Sequence, residues 1–307
     1  MSAFLVCLLA LTLDRLLGEL PRAHPLVMFG AAAARLEVAL NPAGGGGRVA
    51  GAISLLMLVA VPVAASLVAV LWLPAPVSLL LDVVVVYLAV GWRSLAEHAL
   101  AVAEPLEAGD LPEARRQVGR MVSRDTATLD EQGVATATTE SVLENGADAV
   151  FASLFWYLAA GLPGVVLHRL VNTLDAMWGY RTAHFLRFGW AAARLDDVLN
   201  WVPARLTALS FALTGATRQA LRCWGRQGHT WESPNAGPVM AAGAGALGVR
   251  LGGAAPYHGT LRLRPDLGLA TGQAPTIHTI RAALALLRRA VLLWLAVLAA
   301  GGVLWML

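Results

Sequence analysis

The stretch AVFASLFWYLAAGLPGVVLHRLV, residues 149–171, decides how this chain folds. It is long and apolar enough to cross a hydrocarbon core, which takes about 20 helical residues. Gly161-Leu162-Pro163-Gly164 interrupts its middle. Proline removes a backbone donor and clashes with the preceding turn, so an ordinary straight helix is not expected here. A full crossing would put the polar motifs before and after it on opposite faces of a membrane. A break permits entry and return as two half-helices, which is tolerated where the broken backbone is buried in protein or lines a cavity. The re-entrant form is the expectation, and a kinked full span with 201–217 crossing back is the alternative.

Composition places that segment in a membrane protein. Of 307 residues, 57% are hydrophobic and 14% charged, and mean hydropathy is +0.63. A soluble domain carries about 25% charged residues. A disordered chain is excluded, being charge-rich and apolar-poor, and a soluble enzyme has too few polar groups here to cover a globule. Cys7 and Cys223 are the only cysteines, which excludes a disulfide framework and a cysteine zinc site and fits a reducing compartment. Every basic side chain is Arg. With no Lys there is no P-loop and no lysine base or Schiff base. The net charge of +3 is scattered, so no nucleic-acid footprint is read, whereas an anionic membrane face or anionic substrates suit it.

The expected fold class is all-α: a polytopic integral membrane protein with amphipathic helices on the cytoplasmic side. One domain, 1–307, is expected. Spans are placed at about 2–16, 50–73, 77–92 and 290–307, with the re-entrant segment at 149–171 and a motif region over 172–283. The first span reads as an uncleaved helix, because Asp14-Arg15 follows directly where a small-residue cleavage site would stand. Arg15, Arg22, Arg35 and Arg48 precede the first long span; Arg93, Arg115, Arg116, Arg120 and Arg124 follow the 50–92 hairpin. By the positive-inside rule both flanks are cytoplasmic, and Arg281, Arg288 and Arg289 place the start of the last span there too.

Five polar constellations punctuate this frame. In Thr139–Asp148, Glu140, Glu144 and Asp148 stand at i, i+4 and i+8 and share a helix face. Like charges so spaced repel, and two readings fit: a cation such as Mg²⁺ among them, or a solvated face. Asn172-Thr173-Leu174-Asp175 with Gly179-Tyr180-Arg181 follows the broken segment. A re-entrant fold would bring Asn172 and Asp175 beside Asn145 and Asp148; helix capping is the alternative. Arg194-Leu195-Asp196-Asp197, Asn200 and Pro203-Ala204-Arg205 pair Arg with carboxylates, as a salt bridge or a phosphate clamp. Arg124-Asp125-Thr126 reads as a cap or an anion contact, and Ser233-Pro234-Asn235-Ala236-Gly237 as a turn. Gly243-Ala-Gly-Ala-Leu-Gly248 fits G-x-G-x-x-G, but no β-branched strand precedes it; small residues for close helix packing are the preferred reading. The histidines show no metal-binding spacing. Asp82 is a charge inside a span and so a functional candidate or a group near the interface.

Taken in order, these strings resemble the cobinamide-phosphate synthase family of cobalamin biosynthesis, the CobD/CbiB proteins. They include Asp14 to Pro21 with His24-Pro25, Gly119-Arg120 through Thr126, Glu140 to Asp148, and Asn172 to Met177 with Gly179-Tyr180-Arg181. Phe188-Gly189-Trp190 through Arg205, Ser233 to Gly237, and Ala244 to Gly253 with Tyr257 and Gly259 complete the set. They cover nearly the whole chain. The resemblance implies a multi-pass enzyme of the bacterial inner membrane whose active site faces the cytoplasm. It implies an ATP- and Mg²⁺-dependent ligase joining (R)-1-aminopropan-2-ol or its O-phosphate to the propionate carboxylate of adenosylcobyric acid. Under it, Glu140, Glu144, Asp148 and Asp175 take catalytic roles, with Glu140, Glu144 and Asp148 on metal. Arg124, Arg181, Arg194 and Arg205 contact phosphate or corrin carboxamides, alongside Asn145, Asn172, Tyr180, Asp197, Asn200, Ser233 and Asn235. Membrane lipid surrounds the protein, no nucleic acid is a partner, and self-association into a homo-oligomer is left open. The rival class is a non-enzymatic inner-membrane transporter or an AmpE-like signalling protein, for which polar groups would sit at mid-bilayer on broken helices.

Overall fold

A computed structural model describes residues 2–19, 24–257 and 259–304. Leu20, Pro21, Arg22, His258 and the last three residues of the expected 290–307 span lie outside them. The described chain is overwhelmingly helical, and four helical stretches are long and apolar enough to cross a membrane: Arg48–Trp72, Ala75–Glu107, Glu131–Trp178 and Ile277–Gly301. The polytopic all-α expectation is therefore met. The chain divides into two compact units, Met1–Gly91 with Ala152–Asn200, and Trp92–Phe151 with Trp201–Leu307.

The first unit holds α1 (Ser2–Leu17), α2 (Pro25–Leu40), α3 (Arg48–Trp72), α4 (Ala75–Ala89), α8 (Ser153–Trp178) and α9 (Trp190–Leu199). Its α3 has 25 residues, roughly 37 Å at 1.5 Å per residue, more than the hydrocarbon thickness. Leu56, Val61, Leu71 and Trp72 are exposed along it, an outer surface suited to lipid. Trp178 and Phe188 meet edge to face at 5.0 Å in the core, with Val171 and Leu174 beside them. Gly51 admits this packing: a Cβ there would lie 1.8 Å from the Phe188 carbonyl oxygen.

Helix α8 carries the decisive break. Ala160 (φ −140°, ψ 15°) and Gly161 (φ 62°, ψ −151°) leave helical geometry, and the Gly161 pair is one that only glycine adopts cheaply. The chain then reverses. A Cβ on Gly164 would sit 2.4 Å from the carbonyl oxygen of Trp156. Trp156 Nε1 donates to Leu199 O at 2.9 Å, and His168 Nε2 bonds Asn200 Oδ1 at 3.0 Å. Trp156 and His168 would be roughly 18 Å apart on a straight helix, yet they reach adjacent residues of one chain segment. The expected break in 149–171 is thus present, at Ala160-Gly161.

The second unit holds α5 (Trp92–Glu107), α6 (Leu111–Val118), α7 (Glu131–Gly146), α10 (Trp201–Thr214), α11 (Thr217–Gln227), α12 (Ala236–Leu247) and α13 (Ile277–Leu304). Asp110 and Asp130 start α6 and α7 by accepting N–H groups from Glu113 (3.0 Å) and Gly133 (2.7 Å). A π-helical turn, Ala147–Ala152, continues from α7. Helix α12 is the glycine-rich string. A Cβ on Gly243 would meet Leu143 at 2.7 Å and one on Gly245 would meet Gln219 O at 2.7 Å, so small residues there serve close packing. Helix α13 begins at Ile277 rather than 290: Arg281, Arg288 and Arg289 occupy an outer face while Ile280, Leu286, Leu287 and Ala290 are buried. The charges lower local hydropathy without interrupting the helical stripe.

Two small antiparallel ribbons interrupt the helices. β1 (Arg250–Gly252) pairs with β4 (Asp266–Gly268), with Leu251 opposite Leu267, and β2 (Ala255–Tyr257) pairs with β3 (Thr260–Arg262). Each strand is three residues long, too short for an alternating pattern to stand out against a helical sequence.

Candidate functional site

The second unit gathers its charges on Glu140 of α7. This carboxylate is 2% exposed. Arg124 Nη2 donates to its Oε2 at 2.5 Å; Arg264 donates from Nη1 to Oε2 at 3.0 Å and from Nη2 to Oε1 at 3.1 Å. The backbone N–H of Gly252 adds a fourth donor, 2.9 Å from Oε1. Arg264 also donates to the carbonyls of Gly253 (3.1 Å) and Gly252 (3.3 Å). Local backbone explains the closeness: Gly252 has φ 80°, and a Cβ there would lie 2.1 Å from Pro265 O.

Two guanidinium groups, 10% and 9% exposed, share one carboxylate, so the cluster carries an excess positive charge in a desolvated place. It opens onto a cleft of about 440 Å³ lined by Arg124, Arg250, Arg264, Gly252, Gly253 and Asp266, among others. Arg250 reaches Asp266 at 2.9 Å with both side chains about half exposed. Asp125 fixes one wall: its N–H donates to Pro256 O (3.1 Å) and its Oδ2 accepts from Gly259 N–H (2.7 Å). Arg124-Asp125-Thr126 is therefore a strut to the β2–β3 ribbon that aims Arg124 inward. Such a cleft suits a phosphate or carboxylate, which an arginine fork binds in two places.

The carboxylates expected to hold metal are differently disposed. Both Glu140 oxygens are committed to guanidinium and amide donors, so this residue does not fit a metal ligand. Among the described residues no group of three His, Cys, Asp or Glu side chains is arranged to hold a metal ion. The i, i+4 spacing of Glu140 and Glu144 on α7 is present, and the charge of Glu140 is offset by Arg124 and Arg264. Glu144 is half-buried, makes no ion pair among the described residues, and lies within electrostatic reach of Glu140, Arg124 and Arg264. Asn145 is exposed and donates to Ser141 Oγ at 2.8 Å. Asp148 is half-buried on the π-helical turn.

Arg205 sits at another place in the same unit. Its Nη1 donates to Asn235 Oδ1 (3.0 Å) and Trp201 O (2.8 Å), and its Nη2 to Pro234 O (3.1 Å). Ser233 Oγ accepts the N–H groups of Asn235 (3.3 Å) and Ala236 (3.1 Å), holding the turn that starts α12.

The first unit builds a buried amide–carboxylate chain. His168 meets Asn200; Asn200 Nδ2 donates to Asp196 Oδ2 at 2.9 Å; Asn172 Nδ2 donates to Asp196 Oδ1 at 3.3 Å; Arg169 Nη1 donates to Asn172 Oδ1 at 2.9 Å. His168 is 0% and Asn200 1% exposed, and His168 Nδ1 has no hydrogen-bond partner among the described residues. Burial pushes the Asp196 carboxyl up, opposed by the Asn200 and Asn172 donors. Asp175 belongs to this unit too, packed against Gly179, where a Cβ would lie 2.1 Å from its Oδ1. Tyr180 and Arg181 are exposed. Arg194 and Asp197 form an ion pair at 3.4 Å on the surface, the salt-bridge alternative for that motif. Asn145 and Asp148 thus belong to the second unit, and Asn172 and Asp175 to the first.

A sequence model described as CobD/Cbib protein matches residues 7–287. The chain belongs to the CobD/CbiB family. It is 59% identical over 302 residues to the cobalamin biosynthesis protein CobD of Stutzerimonas stutzeri, covering 98% of this chain and 99% of that one. Identity to the CobD of Chromobacterium violaceum is 54% over 310 residues, covering 99% and 98%. The CobD of Mycobacterium tuberculosis is 42% identical over 289 residues, covering 92% and 90%. No solved structure matches the chain. Membership of the CobD/CbiB family places the protein in cobalamin biosynthesis.

No local sequence pattern marks Arg264 for this site, and Arg250 enters only within the Ala244–Gly253 string. Arg264 stands in Arg262-Leu-Arg-Pro-Asp266, whose charge alternation across a Pro marks a turn and nothing more. In sequence, His168 is one of several scattered histidines.

Proposed function

We propose that this CobD/CbiB chain is an ATP-dependent amide ligase that joins (R)-1-aminopropan-2-ol, or its O-phosphate, to the propionate carboxylate of adenosylcobyric acid. The supporting observation is the arginine-rich cleft backed by Glu140. Making an amide from a carboxylate requires activation. A carboxylate oxygen attacks the γ-phosphorus of ATP and the bond to the ADP oxygen breaks. The amine nitrogen then attacks the acyl carbon, phosphate leaves, and the ammonium proton passes to a base. Each step gathers negative charge on phosphoryl oxygens, which preorganised arginines stabilise. Arg124 and Arg264, locked on Glu140, are held ready at the cleft wall. Glu144, free of an ion pair among the described residues, is the proposed proton acceptor. Mg²⁺ enters with the nucleotide, since it is commonly bound through substrate phosphates.

The arginines at 93–124 and 281–289 favour a bacterial inner membrane with the cleft on the cytoplasmic side. Purified full-length protein given Mg-ATP, adenosylcobyric acid and either amine tests the reading. Corrinoid amide by mass spectrometry, with matching ADP and dependence on every component, is expected. Absence of both products would contradict it and return the transporter and signalling alternatives to the front.

A further inference from the structure

A second cavity in the same unit, also about 440 Å³, is lined by Arg205, Trp224, Trp231, His229, Pro234 and Pro238, among others. Its charges are unevenly settled. Glu232, at the rim, is paired with Arg262. Arg205 is half-buried, stacks on the Trp201 ring at 4.2 Å, and among the described residues is held only by amide and carbonyl oxygens. Among the described residues no carboxylate pairs with this partly buried cation, so its charge is available to an anion. Two indoles and two prolines supply flat apolar walls around it. Trp231 also has the Arg264 guanidinium 5.1 Å from its ring centre, so this wall adjoins a residue of the arginine cleft.

Aromatic walls bind flat rings by stacking, largely irrespective of which base is present, and a guanidinium binds phosphate. We infer that this cavity is a nucleoside-phosphate site, with the base between the indole walls and a phosphate on Arg205. Such chemistry has two sources in the proposed reaction: free ATP, or the adenosyl group of the corrinoid. The available charge on Arg205 favours the phosphate-bearing one. The inference deepens the ligase reading and rests on it for ATP as the natural ligand.

The test is binding of a fluorescent ATP analogue to the full-length protein in detergent, without corrinoid or amine. Arg205→Gln and Trp224→Leu are each expected to weaken binding about tenfold; Arg116→Gln, on an exposed ion pair elsewhere, should not. ATP should displace the probe well, while adenosine and tripolyphosphate alone displace it poorly. Adenosylcobyric acid displacing it better than ATP would overturn the assignment to free nucleotide. Photolabelling of the unaltered protein with 8-azido-ATP avoids any folding defect: label within 224–238 is expected, and label only elsewhere overturns the site. Binding within about twofold of the parent in both variants overturns it as well. Nucleotide binding as described without amide formation would instead defeat the ligase reading and leave the pocket standing.

Discussion

Arg264 holds both oxygens of Glu140, with Nη1 3.0 Å from Oε2 and Nη2 3.1 Å from Oε1. This fork ties the β1–β4 region to α7, and Arg124 closes on the same carboxylate from the 124–126 strut. Removing the anion leaves two largely buried arginines without the carboxylate that both are bonded to. Glu140→Ala is therefore expected to lower stability by about 3–5 kcal/mol. Thermal unfolding followed by circular dichroism in detergent measures this, and an unchanged midpoint would refute the locked cluster.

Arg250 occupies the same cleft under different constraints. Its pair with Asp266 is half exposed, so Arg250→Gln should change stability by less than about 1 kcal/mol. If the cleft receives an anion, the KM for the phosphorylated amine or for ATP rises about tenfold through loss of a charge-assisted contact. Initial rates at varied substrate decide it; unaltered KM values for both would remove Arg250 from the site.

Gly161→Ala probes the broken helix. At φ 62°, ψ −151° a Cβ brings strain of about 1–3 kcal/mol. Its surroundings are open, with the nearest heavy atom, Pro163 Cδ, at 4.0 Å, so the loss is one of backbone conformation. A lowered unfolding midpoint is expected, whereas a raised one would mean that the reversal is not built on this glycine.

The pH dependence of stability should carry a signature of Asp196. Burial raises its carboxyl above the ordinary value near 4, so the folded state holds the proton more tightly than the unfolded state. The sign follows from linkage: stability contributed by this group increases as pH falls from neutrality toward 4, and is lost again on the way up. Asp196→Asn removes the titration. The stability difference between variant and parent should therefore shift in the parent's favour as pH drops from 7.5 to 5. Chemical denaturation at several pH values tests this, and a pH-independent difference would contradict it.

Much of the architecture was legible because membrane spans and helix breakers have strong signatures. The uncharged run of 50–73 and the Gly-x-Pro-Gly of 161–164 needed no tertiary knowledge. The acidic face of α7 was legible as a face, but its function was not. Whether Glu140 meets a cation or an arginine depends on Arg264, 124 residues away along the chain, and no local pattern encodes that meeting. Arg124 stands out through its Arg-Asp-Thr context, while Arg250 sits on the three-residue strand β1 and Arg264 in the short link between β3 and β4, where no local periodicity marks either side chain. The aromatic pocket has no local signature, because Trp224 and Trp231 are ordinary in a chain with 10 tryptophans.

The central proposal is that amide formation is driven at the arginine cleft. The most direct measurement is kcat/KM for ATP-dependent amide formation by Arg264→Lys against the parent, in protein shown to be folded. A lysine keeps the charge and loses the fork. A fall of about 10²–10³-fold is expected, the scale of losing a preorganised donor to developing charge. Turnover equal to the parent's would place the chemistry elsewhere.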